Sequence, residues 1–173
     1  MRKEFLLVDG YNIIHAWDEL RALAAEVSLE SARLRLMDIL SNYKGVQDST
    51  VILVFDAYLV KGGVGSVETY QNIYVVYTKE AETADHYIER VVNRLPRHYR
   101  VRVATSDGLE QVIISGHGAI RMSARELLGE VQRTEMEIRR RYIERRPPKQ
   151  NMLADNLDRE AQEWLERMRF RKE

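Results

Sequence analysis

Three short apolar runs along the chain end in the same way. Phe5-Leu6-Leu7-Val8 stops at Asp9, Val51-Ile52-Leu53-Val54-Phe55 at Asp56, and Val101-Arg102-Val103-Ala104-Thr105-Ser106 at Asp107. A fourth run, Ile73-Tyr74-Val75-Val76-Tyr77, is rich in β-branched and aromatic residues and leads into a helical pattern. Runs of this length predict strands buried on both faces. Between them the period changes to that of a helix. Leu29, Ala32, Leu36, Ile39/Leu40 and Tyr43 follow Ser28, an N-cap candidate, and Gly45 stands where such a helix would close. Ala84, Ile88, Val91/Val92 and Leu95 repeat the spacing up to Pro96. A short helix is expected over 111–115. Ser123-Ala124-Arg125-Glu126 is a capping box opening a long helix with the stripe Leu127, Val131, Thr134, Ile138 and Tyr142.

Strands alternating with helices predict an α/β domain, a parallel sheet covered on both faces. Pro147-Pro148 breaks the pattern, and Leu153, Leu157, Ala161, Trp164/Leu165 and Met168 predict one last amphipathic helix. The expected organisation is a domain over 1–146 and a helical extension over 147–173. A chain of 173 residues supports that core without staples. It has no Cys, so disulfides and thiolate zinc sites are excluded and a cytoplasmic setting is expected. The apolar runs fall far short of the ~20 residues of a membrane span, and Asp9 cuts off any signal-peptide core after Met1-Arg2-Lys3. Lys+Arg and Asp+Glu are both 27, so nucleic acid would have to be met by local charge.

The strand ends carry the chemistry. Ligands of an open parallel sheet bind outside the carboxyl ends of its strands, where Asp9, Asp56 and Asp107 are expected. Asp85, in Glu82-Thr83-Ala84-Asp85, falls in the first turn of the helix after the fourth run and so at the same edge. A lone Asp in such a place is commonly a helix N-cap or a turn residue. Four together repel one another, and a hard divalent cation relieves that repulsion. Such an ion also suits phosphodiester displacement by activated water. In Asp9-Gly10-Tyr11-Asn12, Asn12 is a candidate to orient a metal-bound water or a phosphate oxygen, or else an Asx-turn or cap residue. Ser106, beside Asp107, is a candidate to hydrogen-bond the substrate, with a helix cap the more expected role. The histidines 15, 86, 98 and 117 show no catalytic spacing, His86 being notable only for its place beside Asp85.

Asp9-Gly10-Tyr11-Asn12-Ile13-Ile14, Val54-Phe55-Asp56-Ala57-Tyr58, Glu82-Thr83-Ala84-Asp85 and Ala104-Thr105-Ser106-Asp107, in this order, resemble the YacP-like branch of the NYN domain nucleases, relatives of the PIN domains. The likeness spans roughly residues 4–145. It implies a PIN-like three-layer α/β/α sandwich and metal-dependent cleavage of RNA. The acidic site of the family falls on Asp9, Asp56, Asp85 and Asp107 with Asn12 as companion. Asp9, Asp85 and Asp107 would hold Mg²⁺ (or Mn²⁺), and no small-molecule cofactor is implied. Lys61-Gly62-Gly63-Val64-Gly65-Ser66, Thr78-Lys79-Glu80 and Met122-Ser123-Ala124-Arg125 are similar to ribosome-associated members that cut mRNA in the ribosomal A site.

Two cationic segments are candidates for RNA or ribosome contact. Lys61 with Gly62 and Gly63 is a flexible loop after Asp56, without the order of a P-loop. Residues 139–149 hold Arg139, Arg140, Arg141, Arg145, Arg146 and Lys149 against Glu144. This is either an rRNA-binding face or a cationic helix end favoured by the dipole. The expected activity is a metal-dependent endoribonuclease acting on mRNA, with the ribosome as partner and no membrane. The alternatives are a non-catalytic RNA- or ribosome-binding module of the same fold and, last, a phospho-receiver domain.

Overall fold

In the computed structural model, the described residues are 3–56, 65–106 and 118–145. The elements, in chain order, are β1 (Glu4–Asp9), α1 (Gly10–Ala16), α2 (Asp18–Glu26), α3 (Leu29–Lys44), β2 (Ser49–Phe55), β3 (Ser66–Tyr70), β4 (Ile73–Tyr77), α4 (Ala84–Arg94), β5 (Arg100–Ala104), β6 (Ile120–Met122) and α5 (Ala124–Glu144). The strands form one sheet in the order β3-β4-β2-β1-β5-β6, parallel throughout except for the β3–β4 hairpin. The α/β architecture is therefore the one the periodicity predicts.

Strand parity sorts the core. Leu6, Val8, Leu53, Phe55 and Val75 point to one face, where Ile13 and Ile14 of α1, Leu20 of α2, Leu36 and Leu40 of α3, and Leu127 and Val131 of α5 cover them. Leu7, Val54, Val76 and Val103 point to the other, where Ala84, Ile88 and Val92 of α4 cover them. Three layers result, with the wholly apolar runs in the middle one because both their faces are buried. The indole N–H of Trp17 donates to the Ala124 carbonyl at 2.8 Å and ties the α1–α2 corner to the start of α5.

The caps follow their chemistry. Ser28 accepts the Ser31 N–H at the start of α3, and Thr83 accepts that of His86 at the start of α4. Ser123 and Glu126 satisfy each other's backbone donors at α5 in a reciprocal capping box. The stripe of α5 is buried at Leu127, Val131 and Thr134, whereas Ile138 and Tyr142 are exposed. Compact units cover Met1–Met136 and Glu137–Glu173; the expected break at Pro147-Pro148, the last helix and the short helix over 111–115 lie outside the described residues. Among the described residues no helix is long and apolar enough to cross a membrane.

Candidate active site

The parallel register brings the carboxyl ends of the central strands to one edge. Asp9, the last residue of β1, pairs with Val54, and Phe55 pairs with Tyr77. The Thr78 N–H continues that ladder to the Phe55 carbonyl at 3.0 Å. Parity then decides which way the acids face. Asp9 follows Leu7 by two residues and Asp56 follows Val54 by two, and both of those apolar residues lie under α4. The two acids therefore fall on the α4 side, where Asp85 stands in the first turn.

Each acid has a defined environment. Asp9 is 8% exposed and caps α1, accepting the Asn12 N–H at 3.4 Å. Its carboxyl is pushed up to about 7, first by burial, then by the charges of Asp85 and Asp56 and a hydrogen bond with Asp85; the Asn12 N–H pulls the other way. Asp56 accepts the Ala84 N–H and so fixes the N-terminus of α4 beside it. That contact holds Asp85 toward Asp9. Asp9 is a helix cap and a member of the acid cluster at once.

Asn12 and Ser106 are bonded to each other. The Asn12 side-chain oxygen accepts both the backbone N–H of Ser106, at 2.6 Å, and its hydroxyl. That oxygen is occupied by Ser106. Ser106 thus anchors the end of β5 to α1 across 94 positions in sequence. Neither the bond nor its partner was visible in local spacing. Gly10, by contrast, is legible: a methyl added there would fall inside the Phe55 ring.

The structure brings Asp9, Asp56 and Asp85 together, with Asn12 beside them. Asp107, Lys61, Gly62, Gly63 and Arg146 lie outside the described residues. Lys79 follows β4 by two residues, at the same edge. Arg139, Arg140, Arg141 and Arg145 stand at the end of α5, where Arg140 pairs with Glu144 and Arg141 with Glu137. Of the histidines, His86 is exposed and its backbone N–H donates to the Thr83 hydroxyl.

Among the described residues no three acids or histidines are grouped so as to hold a metal ion by themselves. The donors fit magnesium nonetheless. That ion keeps most of its waters and takes only one or two carboxylates, and Asp9 with Asp85, close enough to hydrogen-bond, supplies such a pair.

The model of the YacP-like NYN domain matches residues 6–170. The chain belongs to that family. Its members share a nuclease-type fold. The Bacillus subtilis (strain 168) member, described as uncharacterized protein YacP, is 47% identical over 139 residues, covering 80% of this chain and 81% of its own. The crystal structure of Rae1 (YacP) from Bacillus subtilis superposes on this YacP-like chain with a TM-score of 0.71 at 45% identity, covering 81% of this chain and 80% of that one. A mutant of Rae1 gives 0.70 at 43% identity, covering 80% of each chain.

Proposed function

We propose that the protein is a metal-dependent endoribonuclease that cuts mRNA in the cytoplasm, in association with the translating ribosome at its A site. One observation carries the reading: Asp9 is buried at a strand end and raised to about 7 beside two further acids. A carboxyl needed only as a helix cap has no use for that company. Asp9 and Asp85 would hold Mg²⁺ or Mn²⁺, with Asp107 as the third ligand by family likeness. Bound there, the ion would offset charge on the scissile phosphate and acidify a water for attack.

The chain's own residues do the rest. Asp56, through the Ala84 N–H, ties the start of α4 to the end of β2. Asn12 fixes the end of β5 through Ser106, and its amide NH₂ would serve as a donor to a phosphate oxygen. Lys79 supplies positive charge where the RNA backbone would enter. The ribosome as partner rests on the family likeness of the 61–66, 78–80 and 122–125 segments and on the arginines at the end of α5.

The test is to incubate the protein with mRNA, free and on translating ribosomes, with and without EDTA, and to map the ends. Cleavage that needs the divalent ion, strengthened on ribosomes, supports the reading. EDTA-resistant cleavage leaving 2′,3′-cyclic ends contradicts it. So does salt-dependent RNA binding with no turnover in Mg²⁺ or Mn²⁺ with ribosomes supplied, which marks a binding module.

A further inference from the structure

Beside the acid cluster, α4 leaves the flank of the sheet uncovered. The pairs Val67–Val76 and Thr69–Tyr74 place Val67 and Tyr74 on the face that α4 packs against, yet they are 66% and 46% exposed. Between this shelf and α4 runs a cleft of about 280 Å³, with Val67 and Val76 on one side and Tyr87 and Arg90 on the other. The Arg90 guanidinium lies 5.2 Å from the centre of the Tyr87 ring, held by an ion pair with Glu82 at 2.9 Å. Glu82 is itself set by a tight turn. Its N–H donates to the Lys79 carbonyl at 2.9 Å, and its carbonyl accepts the Thr78 hydroxyl at 2.6 Å. Lys79 also lines the cleft and has no ion pair among the described residues.

An apolar floor, a flat aromatic–guanidinium wall and a spare cation at the rim match one ligand chemistry. Unpaired bases stack on aromatic rings and guanidinium planes while lysines meet the backbone phosphates. The volume falls just below the roughly 300–1,000 Å³ range of ligand clefts, which fits one base and not a larger group. Thr78 lines the cleft and donates its N–H to the carbonyl of Phe55, the residue before Asp56, so the cleft adjoins the acid edge. We propose that it is a nucleotide subsite, receiving one unpaired base of single-stranded RNA next to the cleaved bond. The base rests against Val67 and Tyr87 and a neighbouring phosphate on Lys79. This rests on the nuclease reading above and adds a requirement that the RNA be unpaired at that position.

The test uses the full chain and single-stranded RNA carrying one 4-thiouridine, or one abasic residue, at successive positions. The expected result is a cross-link into residues 84–94 from one position beside the cut. Tyr87→Ala and the surface change Val67→Asp should each lower kcat/KM about tenfold, as expected for one lost stacking contact. An RNA abasic at that position should be cut equally by wild type and both variants. Folded variants that cut intact RNA like the wild type, with no cross-link to 84–94, would overturn the subsite while the nuclease reading stands. Wild-type protein that neither cuts nor cross-links RNA overturns both.

Discussion

Folding takes the Asp9 carboxyl from 3.8 to about 7, through burial and two acidic neighbours. The folded chain then keeps a proton that the unfolded chain releases between those values. Stability of the metal-free protein should accordingly fall as pH rises from about 4 to 7. Asp9→Asn removes the penalty and keeps a side chain able to cap α1. At pH 8 in EDTA the variant should be more stable by about 1–3 kcal/mol, a discount on the full shift at about 1.4 kcal/mol per unit, and should not cut RNA. Thermal melts at pH 4 and pH 8 check this: the gain should vanish at the lower pH, and a variant less stable at both would contradict it. Asn12 and Ser106 act as one contact, so their alanine variants should be non-additive. The double variant should have nearly the kcat/KM of either single one, and independent losses would show that Asn12 works without Ser106.

At the scale of elements, what the sequence showed depended on how fully each element is buried. The runs ending at Asp9 and Asp56 are strands on every side packed by apolar atoms, so hydrophobicity alone marks them. Strand β3 has no such signal: Ser66, Val67, Glu68 and Thr69 are exposed and Tyr70 only partly covered. It is a strand because β4 pairs with it, and Gln71, at φ 51°, turns the hairpin. Strand β6 has three residues, and α1 and α2 have seven and nine, too few for a period to stand out. The acids at the strand ends were legible because they close apolar runs. Their convergence depended on the parallel register, and Asn12–Ser106 on a contact no spacing encodes. A further long-range element is polar. Arg102 sits between Glu4 at 2.7 Å and Glu130 at 3.0 Å, and Tyr43, pushed up to about 12 by burial and by the bond it donates to Glu130, closes the group. It fastens α3 and α5 to the sheet away from the acids. Glu130→Ala should cost about 2–3 kcal/mol, less than the 3–5 of a fully buried pair, and leave the rate per folded molecule unchanged. Urea unfolding and cleavage on the same samples check both parts.

For the molecule as a whole, equal numbers of acidic and basic residues mean that no overall field draws RNA in, so contact depends on local cations such as Lys79 and the arginines of 139–145. Each phosphate contact contributes about 0.7–0.9 to the slope of log K against log salt. Replacing Arg139 and Arg145 by Glu should weaken co-sedimentation with ribosomes and flatten that slope by about one to two units. An unchanged slope would show that the arginines serve only the helix end. The central claim is narrower: one acid, held partly protonated by burial and by its acidic neighbours, becomes a ligand when a divalent ion arrives. Ion binding must then expel a proton. Calorimetric titration of Mg²⁺ and Mn²⁺ in buffers of different ionisation enthalpy measures this directly. The account predicts release of about half a proton per ion at pH 7, for a group titrating near that value, more at pH 6, and no binding to Asp9→Asn. Binding that persists in Asp9→Asn with no proton released, or no binding to the wild type at millimolar ion, would contradict it.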